Sequence, residues 1–264
     1  MDAKKSVAYK NLVACMQGNY PVYAGQTPTK KVELFAPVIN GKTFCKEINL
    51  YTYWQGFGYA EKTPKIKYLL VAQDWGNLFR RTPEENAGFL KMNETGEWIA
   101  PYSEIPKGSG TDTNLIKFFE ILGYDLTKRH DDLFFTNFCL GYRIGNEGGG
   151  MTKKLMMHDA ELFKELCEIL EPENILCLGK LTSECAYEAL TGEGAWKKIY
   201  SGDKNYNDFL EDHADLTVDC GNSVARFFPL AHCGGMGTAN RNRNLPKEND
   251  PLYYQKDDWK KISR

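Results

Sequence analysis

Continuous apolar runs, rather than alternating ones, mark the sheet-forming parts of this chain. The first is Lys67-Tyr-Leu-Leu-Val-Ala-Gln73, set between Thr63-Pro64 and the turn Asp74-Trp75-Gly76. A run without polar alternation predicts a strand buried on both faces, as in a parallel sheet. Asp132-Leu-Phe-Phe-Thr-Asn137 and Asn174-Ile-Leu-Cys-Leu-Gly179 predict two more. Ala225-Arg-Phe-Phe-Pro-Leu-Ala231 predicts a fourth, ending at His232. Its proline cannot donate to a sheet ladder, so an edge position is expected.

Between these runs the apolar period changes to that of helices. Leu115, Phe118, Phe119 and Leu122 share one face over 113–122, with Asp112 or Thr113 as cap and Gly123 as stop. Thr152 opens a predicted helix of nearly five turns, on which Leu155, Leu162, Leu166 and Ile169 recur before Pro172. A third helix is predicted over 181–190. The alternation of strand and helix predicts an α/β fold, a three-layer α/β/α sandwich around a mostly parallel four-stranded sheet. Residues 1–60, rich in Tyr, Gly, Pro and Thr, are expected to form an irregular extension with one helix, packed on a domain of residues 61–264.

Composition narrows the class. Hydrophobic residues make up 42% of the 264 residues, enough for a sizeable core. No window approaches the roughly 18 apolar residues that span a bilayer, and the N-terminus lacks a signal-type apolar run, so a cytoplasmic protein is expected. The eight cysteines form no Cys-x-x-Cys pair and are expected to be reduced. The net charge of −2 argues against a strongly basic nucleic-acid-binding surface and leaves room only for a local patch.

In parallel sheets ligands bind beyond the carboxyl ends of the strands, and Asp74, Asn137 and His232 stand at three such ends. A carboxylate at Asp74 suits orienting a water or stabilising positive charge, although an Asx-turn or cap would explain it equally. The Asn137 amide offers an acceptor and a donor pair that match the polar edge of a pyrimidine, or a loop backbone. His232, beside Cys233-Gly234-Gly235, can approach and hydrogen-bond a ligand, or hold a loop. No group in the sequence is placed to activate Cys233 as a nucleophile. Gly148-Gly-Gly-Met-Thr-Lys153 lacks the ending of a phosphate loop and reads as surface.

In order along the chain, these segments resemble the uracil-DNA glycosylase superfamily. Ala72-Gln73-Asp74-Trp75-Gly76 is similar to its first motif, Thr136-Asn137 with Arg143 to its pyrimidine-reading strand, 170–179 to its central segment, and Ala231-His232 through Ala239-Asn240 to its last motif. The resemblance covers about residues 66–245. Ala72, Trp75 and Cys233-Gly234 depart from the usual Gly, Pro and Pro-Ser.

The resemblance implies a DNA N-glycosylase that extrudes uracil or a related damaged base into its pocket. Asp74 would stabilise the sugar cation and orient water, and His232 would stabilise the departing base. Asn137 would accept from N3–H and donate to O4. Gln73, Trp75 and Gly76 belong to the pocket by this likeness. The stacking ring would come from Trp75, Phe79 or Phe89, while Asn240, Arg241 and Arg243 would meet phosphates. No cofactor is expected, since the early close cysteine pair of the cluster-holding branches is missing. The expected partner is single- or double-stranded DNA, bound by a monomer. A non-catalytic nucleotide-binding module and a nucleoside or nucleotide hydrolase remain as alternatives.

Overall fold

The computed structural model describes residues 1–21, 32–35, 38–39, 42–43, 50, 55–75, 110–144, 150–202, 205–212 and 216–263. Helix α1 (Ala3–Gly18) is capped by the Asp2 carboxylate. Short strands β1 (Glu33–Phe35), β2 (Val38–Ile39) and β3 (Lys42–Thr43) and helix α2 (Tyr59–Lys62) follow. Then come β4 (Tyr68–Ala72), α3 (Gly110–Ile121), β5 (Leu133–Asn137), β6 (Tyr142–Ile144), α4 (Lys153–Met156) and α5 (Ala160–Leu170). The remainder is β7 (Asn174–Leu178), α6 (Lys180–Thr191), α7 (Ala195–Tyr200), α8 (Tyr206–Asp212), β8 (Leu216–Asp219), β9 (Val224–Leu230), α9 (Gly235–Arg241) and α10 (Tyr253–Ile262).

The main sheet has five strands rather than four, in the order β5-β4-β7-β9-β8. The first four are parallel and β8 is antiparallel to β9. Strand β8 escapes a sequence search because Leu-Thr-Val-Asp is short and only Val218 of it is buried. The proline of β9 is accommodated differently from the expected edge. β9 lies between β7 and β8, and Leu216↔Phe227 is the last described pair with β8. The Arg226 N–H points toward the β7 side, to Glu173 O, so the alternating position of Pro229 points its missing N–H the other way. Pro229 thus lies beyond that last pair, where no described residue requires the donor.

Strand alternation divides the core between two faces. Leu69, Val71, Phe134, Ile175 and Phe227 pack with side chains of α1, α5, α6, α7 and α8. Tyr68, Leu70, Phe135, Leu176 and Phe228 pack with α3 and α10, where Phe118 and Trp259 stack at 5.1 Å. Burying each such ring or aliphatic chain stabilises the fold by about 1.5–3 kcal/mol.

The expected five-turn helix after Thr152 is broken. Thr152 does cap it, accepting from Leu155 N, but α4 ends at Met156 and a 3₁₀ turn, Met157–Asp159, precedes α5. The break sits at Asp159, a fully buried carboxylate that accepts hydrogen bonds from Leu140 N (2.7 Å), Asn19 Nδ2 (3.0 Å) and the Tyr20 hydroxyl. A continuous apolar face gives no hint of this tie, because its partners lie far away in sequence. The first helix of the α/β unit also starts earlier than expected, at Gly110, which places Asp112 inside its first turn.

Candidate functional site

Strand order reverses between β4 and β7, so the crevice outside their carboxyl ends is where such sheets hold ligands. Asp74 leaves β4 at this point. Gly179 leaves β7 with φ of +94°, a conformation that favours glycine and turns the chain directly into α6. Asn137 ends β5 in register with Ala72, and His232 follows β9 by two residues. The exits of β4 and β5 are laced together by Phe138 N to Ala72 O (2.8 Å) and Cys139 N to the Gln73 carbonyl (3.0 Å). The Gln73 side chain itself is partly exposed.

Asn137 is 4% exposed, and among the described residues its side-chain amide has no hydrogen-bond partner. Its amide atoms are not among the fully enclosed polar atoms that lack a partner, so they are open to solvent or to a ligand at the strand end. The Asp74 side chain is 7% exposed, and its Oδ1 lies 3.6 Å from Nε of Arg143 on β6, an ion pair at longer range than a hydrogen bond.

His232 has a defined chemical state. Gly234 N donates to its Nδ1 at 2.9 Å, so the neutral ring carries its proton on Nε2. Burial lowers the imidazole pKa below its ordinary 6.5, against an opposing pull from the Asp74 carboxylate. The ring is therefore a neutral N–H donor at neutral pH. Gly237 lets α9 sit directly on this segment: a Cβ there would lie 1.9 Å from the His232 carbonyl oxygen. Cys233 is fully buried and its thiol is pushed well up by that burial, which removes it as a nucleophile.

Two expected roles need correction. Trp75 is only 7% exposed and its ring stacks on Tyr142, with centroids 5.6 Å apart, so that face is not open to a base. Arg241 does not face phosphates: it is 2% exposed, with its guanidinium held by Asp258 of α10 and Glu211 of α8. A buried cation needs such partners, and they lie 17 and 30 residues away, beyond the reach of any local pattern. Gly76, Phe79 and Phe89 lie outside the described residues.

Asn240 and Arg243 do reach the surface. Arg243 Nη2 donates to Asn240 Oδ1 at 2.8 Å. Together with Lys180, Asn205, Asn207 and His232 they line a cleft of about 530 Å³. Asn207 was not anticipated from sequence; its amide caps α9 by donating to the carbonyls of Asn240 and Arg241. Nothing in the local pattern marks it, because the role depends on α8 packing beside α9. In the first turn of α9, Met236 is 76% exposed.

Among the described residues no group of His, Cys, Asp and Glu is arranged to hold a metal ion, and no helix is long and apolar enough to cross a membrane. The chain matches no protein-family model and no curated protein.

Proposed function

We propose that this chain is a uracil-DNA-glycosylase-like protein with a four-strand parallel core, hydrolysing the N-glycosidic bond of uracil or a related damaged base in DNA. The observation that carries the proposal is the Asn137 amide, which has no hydrogen-bond partner among the described residues and stands at the end of β5, in register with the end of the strand that leads into Asp74. An amide reads N3–H and O4 of uracil together, and a fixed amide rejects the reversed edge of cytosine by about 1–3 kcal/mol.

The chemistry follows from the charge that develops. As the bond to the sugar breaks, the base leaves as an anion and the sugar gains cationic character. His232, neutral with its proton on Nε2, donates to the base carbonyl beside the breaking bond. A neutral donor is suited to this task because it stabilises the anion without first surrendering a proton. Asp74 stabilises the cation and orients the attacking water. Extrusion of the base from the stack gives access to the bond, and the cleft carrying Lys180 and Arg243 receives the flanking phosphates. Met236, exposed on α9 next in sequence to the cleft-lining Gly237, is an apolar side chain of the kind that enters a stack where a base has left.

A second reading, hydrolysis of free nucleotides, is favoured by the net charge of −2 and by the withdrawal of Arg241 from the surface. Excision assays on single- and double-stranded oligonucleotides containing uracil, with deoxyuridine monophosphate alongside, separate the two. Release of uracil from DNA, reduced by about 100-fold or more in Asp74→Asn and Asn137→Ala, supports the glycosylase. Release from the free nucleotide alone supports the second reading, and release from neither removes both.

A further inference from the structure

The turn that follows β9 contains three peptide planes, each held from a different helix. Gln255 Nε2 of α10 donates to His232 O at 3.1 Å, and Thr238 N of α9 donates to Gly234 O at 3.0 Å. The plane between them joins the Cys233 carbonyl to the Gly234 N–H. Asn114 Nδ2 of α3 donates to that carbonyl at 2.7 Å, and that N–H donates to Nδ1 of His232 at 2.9 Å. A carbonyl only accepts, so the group that Asn114 turns toward it is its nitrogen.

Thr111, three residues before Asn114 and on the same face of α3, also packs on this turn. A Cβ on Gly234 would lie 2.8 Å from Thr111 Oγ1 and 3.1 Å from Nδ1 of His232, so the plane sits between α3 and the imidazole. We infer that Asn114 is a positioning residue for His232: by holding the Cys233 carbonyl it orients the Gly234 N–H, and so keeps the imidazole proton on Nε2. The catalytic consequence rests on the glycosylase proposal above, whereas the effect on the ring does not.

The supports of the two flanking planes do not stand in for Asn114. A peptide turns over by opposite changes in ψ of one residue and φ of the next, as between type I and type II turns, while its neighbours stay in place. Gly234 has φ of −75° and, being glycine, accepts the positive φ that the turned-over plane requires. Turning over withdraws the N–H from Nδ1 and brings the Cys233 carbonyl to that side, which favours a proton on Nδ1. Nε2 is then an acceptor, with nothing to donate to a departing base.

The test is ¹⁵N NMR of the imidazole nitrogens at pH 8, in wild type, Asn114→Ala, Asn114→Asp and Gln255→Leu. Wild type should show one protonated nitrogen, Nε2, and one acceptor, Nδ1. Asn114→Ala should move both signals toward their average. Asn114→Asp, nearly isosteric but with acceptors only, should move them further, toward a protonated Nδ1; a carboxylate is tolerated this near a helix N-terminus. Gln255→Leu, which acts on the neighbouring plane, should keep the wild-type pattern. On uracil DNA, Asn114→Asp should lose about tenfold or more in kcat with little change in KM. Wild-type nitrogen signals in folded Asn114→Asp would overturn the inference; should that variant fail to fold, the same signals in Asn114→Ala would overturn it. An equal displacement in Gln255→Leu would overturn it too, by showing that any loosening of the turn releases the ring. A wild-type protein that excises nothing would sink the glycosylase proposal, and the nitrogen signals would still decide the role of Asn114.

Discussion

Arg241 and Asp258 form a two-point ion pair inside the protein, with Nε 2.8 Å from Oδ2 and Nη2 2.9 Å from Oδ1. Removing one member leaves the other buried and uncompensated. Asp258→Leu is therefore expected to destabilise the fold by about 3–5 kcal/mol, read from urea unfolding. An unchanged midpoint would mean that water reaches Arg241 and that the pair is not structural.

Arg243, two residues on, should behave in the opposite way. It is exposed and faces the cleft. On the proposed reading of a DNA-binding cleft, Arg243→Ala should leave the melting temperature unchanged and reduce the salt dependence of oligonucleotide binding by about one counterion. Equal salt slopes for the two proteins would take Arg243 out of the phosphate path.

These two arginines show what the sequence conveyed and what it withheld. Both lie near the last motif, and nothing local distinguishes the structural one from the exposed one. The strands β4, β5 and β7 were legible because burial on both faces leaves unbroken apolar runs, and the placement of Asp74, Asn137 and His232 at strand ends was legible because each ends or follows such a run. What escaped depends on distant partners. The turn at Asp159 answers to Asn19, Tyr20 and Leu140, and the posture of His232 answers to Asn114 and Gln255. Trp75 looked available for stacking until Tyr142, from another strand, covered it.

The pH behaviour of His232 has a definite sign. Its folded pKa lies below the ordinary 6.5, with burial as the main cause. The unfolded chain therefore binds the proton more readily, and the contribution of the neutral ring to stability is present above about pH 6.5. It is lost as pH falls through the folded value. Wild type should lose more melting temperature than His232→Gln between pH 7.5 and 5. Parallel losses in the two proteins would show that the ring is not held neutral by the fold.

Asp159 offers a test of how the N-terminal helix bears on the site. Its carboxylate joins the end of α1 to the chain leaving β5, three residues past Asn137. The Tyr20 hydroxyl remains a donor to it, since burial and then the neighbouring Cys139 and Asp159 push its pKa far above the tyrosine range. Asp159→Ala strips the acceptor from several buried donors at once and should cost about 3 kcal/mol or more. Amide hydrogen exchange at Leu140 should accelerate with it. Slow exchange at Leu140 in the variant would show that the β5 exit is held by other means.

The C-terminal helix carries Gln255, which holds the His232 carbonyl, and Asp258, which anchors Arg241 at the end of α9. A ribosome delivers these residues after every strand of the sheet has emerged. The sheet and its Asp74 and Asn137 ends can assemble while synthesis continues, but the His232 carbonyl gains its Gln255 donor, and Arg241 its Asp258 partner, only once α10 has left the exit tunnel. A nascent chain, or one shortened by a late nonsense mutation, would present His232 and Arg241 without those supports.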